Sequence, residues 1–220
     1  MIPKNIYFIW FGEKVPYFFD NVLNVYKNIY KDYNIEYIHE INPYNSNNLD
    51  IRDCIDQINT NNTFYHNFYN RKFAKKFLIN KNGFNTRLSD CFRFYLLYKY
   101  GGIYLDCDTF PVRLFDLNVL NNKGYCCKIK YNNIIYNDIY FMGSEPGIKI
   151  FEDKRLVDKC VKKQLVCDYI KSDPVLDVDY FLNNTEYNSL YNKFINGNIK
   201  YGDTYNRNCY IDHYFNNSWR

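Results

Sequence analysis

Asp106 and Asp108 stand two residues apart, with no lysine or arginine between them, in the run Gly101-Gly102-Ile103-Tyr104-Leu105-Asp106-Cys107-Asp108. Read as a strand with alternating faces, Ile103 to Asp108 sends Tyr104, Asp106 and Asp108 one way and Ile103, Leu105 and Cys107 into the core. Two carboxylates on one face at a strand end form a hard oxygen site. Such a site suits Mg²⁺ or Mn²⁺, ions that also bind phosphate oxygens. Upstream, Asp90 and Arg93 are three residues apart and so share one helix face. Taken alone, either pair fits a bland reading, as a surface ion pair or as solvated loop carboxylates. The whole constellation, in order, points to a site.

The elements that must position these groups follow from the same stretch, Thr86 to Val112. It reads as a helix, a Gly-Gly turn and a short strand. Leu97 and Gly101 continue the stripe of Asp90 and Arg93 towards the turn. Gly101-Gly102 ends the helix, because glycine accepts the positive φ that such a stop usually needs.

The composite Ser89-Asp90-x-x-Arg93, then Gly101-Gly102-x-Tyr104-x-Asp106-x-Asp108, resembles the signature of the DXD-motif glycosyltransferases. That family includes fungal initiating mannosyltransferases, capsule transferases and the large glucosylating toxins. Two further stretches share the resemblance. Ile2-Pro3-Lys4 with Ile9-Trp10-Phe11-Gly12 is similar to the family's first strand, and His213, Ser218 and Trp219 match its closing His and Ser-Trp.

The resemblance implies an α/β, Rossmann-like GT-A fold in a single compact domain, residues 1–220, with a nucleotide sugar at the strand ends. It implies a retaining, metal-dependent transfer of a hexose from a UDP- or GDP-linked sugar to an acceptor hydroxyl. Asp90, Arg93, Asp106 and Asp108 would carry catalysis. Trp10, Ser89, Tyr104, Ser218 and Trp219 would join them in binding nucleotide or sugar, with Asn137 and Asp138 as the nearest polar candidates before the Gly143-Ser144-Glu145-Pro146-Gly147 turn. The metal, Mn²⁺ or Mg²⁺, would be held by Asp106, Asp108 and His213; a neutral imidazole suits Mn²⁺ better. Relatives have a Gly-Pro segment near Asp173-Pro174-Val175-Leu176, and here the glycine is absent.

Two other classes compete. Leu105-Asp106-Cys107-Asp108-Thr109 also fits the apolar strand and Asp-x-Asp-x-Thr of HAD-type phosphatases, with Asp106 as nucleophile and Asp108 as general acid. Against it, the motif lies mid-chain after Gly-Gly, with only Gly202-Asp203 as a thin later acidic candidate. The other is a catalytically silent nucleotide-sugar-binding module on the same fold.

Composition sets the outer bounds. A chain of 220 residues, 47% hydrophobic and 20% aromatic, can bury a full core and is not disordered. The 25 Tyr and 18 Phe point to a compositional bias of the source genome, so single tyrosines are not read as functional. A net charge of +4 without a concentrated basic block gives no support for nucleic-acid binding. The eight cysteines lack any Cys-x-x-Cys and are read as reduced. An apolar run beginning at Lys4 leaves no room for a signal peptide or membrane anchor, so the expectation is a cytoplasmic protein without a membrane span. Its partners are a nucleoside-diphosphate sugar and a glycan, lipid-linked or protein acceptor.

In order along the chain, Lys4 to Phe11 reads as a buried strand and Phe18, Val22, Val25, Ile29 and Tyr33 as the inner stripe of an amphipathic helix. Ile35 to Ile41 reads as a second strand, with His39 at the surface. This strand–helix–strand order predicts a parallel sheet. Residues 49 to 58 and Arg71 to Ile79 read as short helices flanking a loop, together a lid or an acceptor-side insert. Tyr125 to Tyr131 and Ile134 to Met142 form a hairpin candidate. Ile148 to Leu165 reads as a long helix, Asp177 to Phe194 as helical in parts, and Ile199 to Tyr205 as an edge strand.

Overall fold

The computed structural model describes residues 1–48, 50–53, 81–112, 114, 125–131, 134–147, 176–177, 185–204 and 211–214. Side chains at 44, 81–84, 87, 91, 125–131, 134–138 and 176–177 lie outside that set, as do the expected helices at 71–79 and 148–165 and most of 49–58.

The first strand, β1 (Asn5–Phe11), is apolar along its length, and Ile6, Tyr7, Phe8, Ile9 and Phe11 are all buried. A strand covered on both faces belongs inside a sheet. β1 indeed lies between β2 (Asn34–Glu40) and β3 (Gly102–Leu105), parallel to both. The crossover from β1 to β2 is α1 (Phe19–Ile29). β3 pairs antiparallel with β6 (Ile134–Ser144), which forms the expected hairpin with β5 (Tyr125–Tyr131). The two-residue β7 (Leu176–Asp177) completes a six-stranded sheet of order β2-β1-β3-β6-β5-β7. The fold is mixed α/β, as expected, with an antiparallel half beside the parallel one. α2 (Lys81–Tyr100) packs on β1 and β3, and α3 (Thr185–Ile195) closes the core through Tyr187, Leu190 and Phe194.

A second, two-stranded sheet joins β4 (Thr109–Pro111) to β8 (Ile211–His213), antiparallel, with Thr109 opposite His213. Only the proximity of these distant segments explains the pairing; nothing local in either announces it.

Three expectations need correction. The fully buried residues of α1 are Phe19, Val22 and Tyr26, while Val25 and Ile29 pack against the core only half-buried. The reason is Phe8 of β1, which takes Phe19 and Tyr26 edge-on at 5.3 and 5.1 Å between ring centres. The two aromatic rings win that face because they bury more area than the aliphatic side chains beside them. Ile199 to Thr204 forms no strand, because Gly202 at φ 93° turns the backbone and Asp203 caps the turn on the Lys200 amide at 3.2 Å. His39 is half-buried, and its Nε2 donates to the Gly12 carbonyl at 3.1 Å.

Gly101 and Gly102 end α2 as expected, at φ 65° and 103°. Gly101 N–H closes the last turn on Leu97 O, which also accepts from Ser144 Oγ. Strand β3 therefore starts at once, and its end is fixed against β1 and β6.

Candidate active site: a carboxylate–imidazole group in the sheet-end cleft

Strand pairing in β3 stops at Leu105, so Asp106, Cys107 and Asp108 occupy a turn rather than the strand that alternation assumed. Thr109 closes it, with its N–H on Asp106 O at 3.2 Å and its Oγ1 on the same oxygen at 2.7 Å. The turn still splits the residues as alternation did. Cys107 is buried, its thiol pushed well up by burial and directed at Ile9 O. The two carboxylates face the same cleft.

Arg93 is the hub of that cleft. Its Nη2 donates to Asp90 Oδ1 at 2.9 Å, and its Nη1 to Asp106 Oδ1 and to Ile139 O, both at 3.0 Å. The guanidinium lies 4.2 Å from the Tyr104 ring centre. Tyr104 donates its hydroxyl to the same Asp106 Oδ1 at 2.7 Å, and burial keeps that phenol protonated. Tyr104 is almost fully buried, so it props Asp106 from below. Oδ1 of Asp106 thus takes two donors from the protein.

Burial pushes the Asp106 carboxyl above its ordinary value of 3.8; Arg93 opposes the rise and Asp108 adds to it. The native state therefore holds this proton more tightly than the unfolded chain does. In the interval above 3.8 the folded form binds more protons, so stability falls as pH rises through it. Asp106→Asn is expected to flatten this part of the stability curve, measured by denaturant unfolding between about pH 3.5 and 6. An unchanged slope in the variant would show that Asp106 ionises as freely as an exposed carboxyl.

Asp108 reaches His213 across the β4–β8 ribbon, with Nε2 3.1 Å from Asp108 Oδ1. The His213 ring stacks on Tyr140 of β6, centres 4.2 Å apart and planes 18° apart. Ligand atoms of Asp106, Asp108 and His213 lie within 4.8 Å of one another, so together they could hold a metal ion. A decisive detail is the other oxygen of Asp108. Oδ2 is buried and has no hydrogen-bond partner among the described residues. Burying an uncompensated carboxylate oxygen is costly, and a divalent cation would satisfy it. The donor set of two carboxylates and an imidazole fits such an ion.

The cleft has a volume of about 820 Å³. Trp10 and Gly12, at the end of β1, form one wall, and Asp90 and Arg93 on α2 another. A Cβ at Gly12 would lie 3.2 Å from Trp10 Nε1, so the glycine lets the indole edge sit close to the backbone. Ser89, Tyr104, Asp106 and Asp108 also line the cleft, which brings most of the expected site residues together. Asn137 and Asp138 sit in β6, paired with Lys128 and Cys127, and their side chains lie outside the described set. Ser218 and Trp219 also lie outside the described residues. Sequence reasoning passed over Asn85 and Thr86, which extend the cleft face of α2, and Ile139 and Tyr140, which hold Arg93, Asp106 and His213. For Asn85 and Thr86 the signal was present, since they fall four residues before Ser89 and Asp90 on the same helix face.

Residues 19–126 match the family described as glycosyltransferase sugar-binding region containing DXD motif. Over this stretch, just under half of its 220 residues, the chain is similar to that family. The match covers the helix, the double glycine and both aspartates, while Trp10 and His213 lie beyond its ends. No curated protein matches the chain. Among solved structures, the PaToxG glycosyltransferase is similar at 18% identity and a TM-score of 0.46, over 73% of this chain and 62% of that one. The chain thus spans under two thirds of that protein. No helix among the described residues is long and apolar enough to cross a membrane.

The geometry also bears on the phosphatase alternative. A nucleophilic Asp106 would have to attack through Oδ2, since its Oδ1 is engaged by Arg93 and Tyr104. With His213, the two carboxylates could instead hold a cation.

Proposed function

We propose that residues 1–220 act as one domain that transfers a hexose from a UDP- or GDP-linked sugar to an acceptor hydroxyl, with metal dependence and retention at the anomeric carbon. The observation that carries this reading is the unpartnered, buried Asp108 Oδ2 beside Asp106 and His213 in the cleft. The similarity of residues 19–126 to the DXD-motif family supports the reaction class.

A divalent cation, Mn²⁺ in preference to Mg²⁺ given the imidazole, would serve as Lewis acid for the departing diphosphate. Asp106 and Asp108 hold negative charge at one place in the cleft. Arg93 keeps Asp106 aligned through Nη1 and Asp90 through Nη2. Asp90, so held, accepts hydrogen bonds from sugar hydroxyls; charge-assisted bonds of this kind orient a polar substrate strongly. Ser89 lies on the same face, and Tyr104 maintains the carboxylate orientation. Trp10 offers an indole face at the opposite wall for the base. Asn137 and Asp138 are carried as polar contacts, and Ser218 and Trp219 as the flap over the diphosphate, on the resemblance alone. No separate nucleophile stands out in the motif, so the acceptor is deprotonated with help from the leaving phosphate, on the donor face. The acceptor is a glycan, a lipid-linked sugar or a protein side chain, and the protein is placed in the cytoplasm.

The test is thermal stability with UDP, GDP and their common sugars, each with and without Mn²⁺. A ligand at a hundred times its dissociation constant adds about 2.7 kcal/mol. For a chain of this size that corresponds to a shift of about 5–10 °C. A Mn²⁺-dependent shift for one nucleotide, followed by sugar transfer to a hydroxyl acceptor, is the expected result. A shift without turnover over a broad acceptor panel would favour a silent binding module. No shift with any nucleotide, and hydrolysis of an aryl phosphate instead, would return the phosphatase.

A further inference from the structure

Among the described residues, β8 pairs only with β4, so the strand that carries His213 stands outside the main sheet. One edge of its imidazole is fixed by Asp108 at 3.1 Å. A hydrogen bond at one edge sets the direction of a ring, and what lies against its faces sets its plane. The Tyr140 ring covers the imidazole face at 4.2 Å with nearly parallel planes, and both residues are buried. Tyr140 belongs to β6, within the main sheet.

The same short piece of β6 holds the other two groups. The Tyr140 carbonyl accepts the Asp106 N–H at 2.9 Å, and the Ile139 carbonyl accepts Arg93 Nη1 at 3.0 Å. Asp106, Arg93 and His213 arrive from three different elements, yet all are referenced to these two residues. Groups that contact metal ligands without touching the metal commonly tune affinity by orienting them.

We propose that Tyr140 is a positioning residue for the cation group: its ring sets the plane of the His213 imidazole, and its backbone sets Asp106. This rests on the reading of Asp106, Asp108 and His213 as a cation site. It gives Tyr140 a part in the chemistry without contact with a substrate.

The test titrates Mn²⁺ alone by calorimetry, without nucleotide, into wild type, Tyr140→Leu, Tyr140→Phe, Asp108→Ala, His213→Ala and the Tyr140→Leu/His213→Ala pair. Tyr140→Leu is expected to weaken Mn²⁺ binding by about tenfold, within the range for outer partners of metal ligands. Tyr140→Phe keeps the ring and restores most of the affinity. In the His213→Ala background, Tyr140→Leu is expected to add no further loss, because the two changes remove one shared effect. Wild-type affinity in Tyr140→Leu, or a tenfold loss that persists without His213, overturns the proposal.

If Tyr140→Leu does not fold, as judged by thermal unfolding without metal, Tyr140→Met fills the volume without a ring face and is read in the same way. A further measurement needs no variant. Proton resonances of the wild-type His213 imidazole must shift upfield in the ring current of Tyr140, and their absence from that region also overturns the proposal. Asp108→Ala separates the two levels of the argument. If it too binds Mn²⁺ like wild type, the cation site itself is wrong; if it alone loses binding, only the role of Tyr140 falls.

Discussion

Asp108→Ala is expected to lower sugar transfer by on the order of a thousandfold while the metal-free protein melts close to wild type. The two halves of this expectation come from the same atoms. Asp108 is buried, with one oxygen facing His213 and the other without a partner. Such a carboxylate contributes little to holding the fold, because a buried charge that is only partly satisfied is near-neutral or costly for stability. Its loss also relieves Asp106, whose carboxyl Asp108 pushes upward. In the reaction the balance reverses, since charge developing on the diphosphate has to be met at this place. Turnover under saturating nucleotide sugar, Mn²⁺ affinity and the apo melting temperature are the three readings needed. Near wild-type turnover in a folded variant would remove Asp108 from the chemistry. A collapse in melting temperature would mean that the residue is structural after all.

The second large effect is on stability and falls on a residue without a side chain. Gly102 sits at φ 103°, and a Cβ there would lie 2.8 Å from Asn5 O and 3.0 Å from the Tyr7 ring. Backbone of a central strand cannot move aside as a flexible side chain can. Strain at such a φ costs about 1–3 kcal/mol and overpacking about as much again. Gly102→Ala is therefore expected to destabilise by about 3–5 kcal/mol, a drop of roughly 10 °C or more in melting temperature. Gly202→Ala is the control. It shares the positive φ, at 93°, but a Cβ there meets nothing within 4 Å. Its cost is then the backbone term alone, about 1–2 kcal/mol. Equal losses in the two variants would show that close approach to β1 contributes nothing.

The parts of this molecule that could be read from the chain are those whose determinants are local. Asp90 and Arg93 meet because a helix brings positions three apart together, and Gly101-Gly102 stops that helix because only glycine is comfortable there. The hairpin of β5 and β6 lies within twenty residues of sequence. Where two distant pieces compete for one surface, local pattern gave out. α1 turned towards Phe8, a residue outside its own period, and so buried Tyr26 fully and Val25 only in part. Compositional bias hid Tyr140 among 25 tyrosines, and only its three-dimensional neighbours separate it from the rest. The alternation assumed through Asp108 was wrong about the strand, which ends at Leu105, but right about which side chains converge. His213 was reached by resemblance alone; the ribbon that delivers it was not legible.

That ribbon has a consequence for how the protein comes to be made. The two carboxylates and Arg93 lie within sixteen residues, but the imidazole that completes the group is over a hundred residues further on. Contacts between such distant positions close late, because the loop entropy must be met before they return any energy. A nascent chain that has emerged only to residue 200 can already hold β1, β3 and β6 together. It cannot present the complete ligand set. Cation capture by the proposed group thus waits for β8, and a chain that stops short of it offers two of the three ligands.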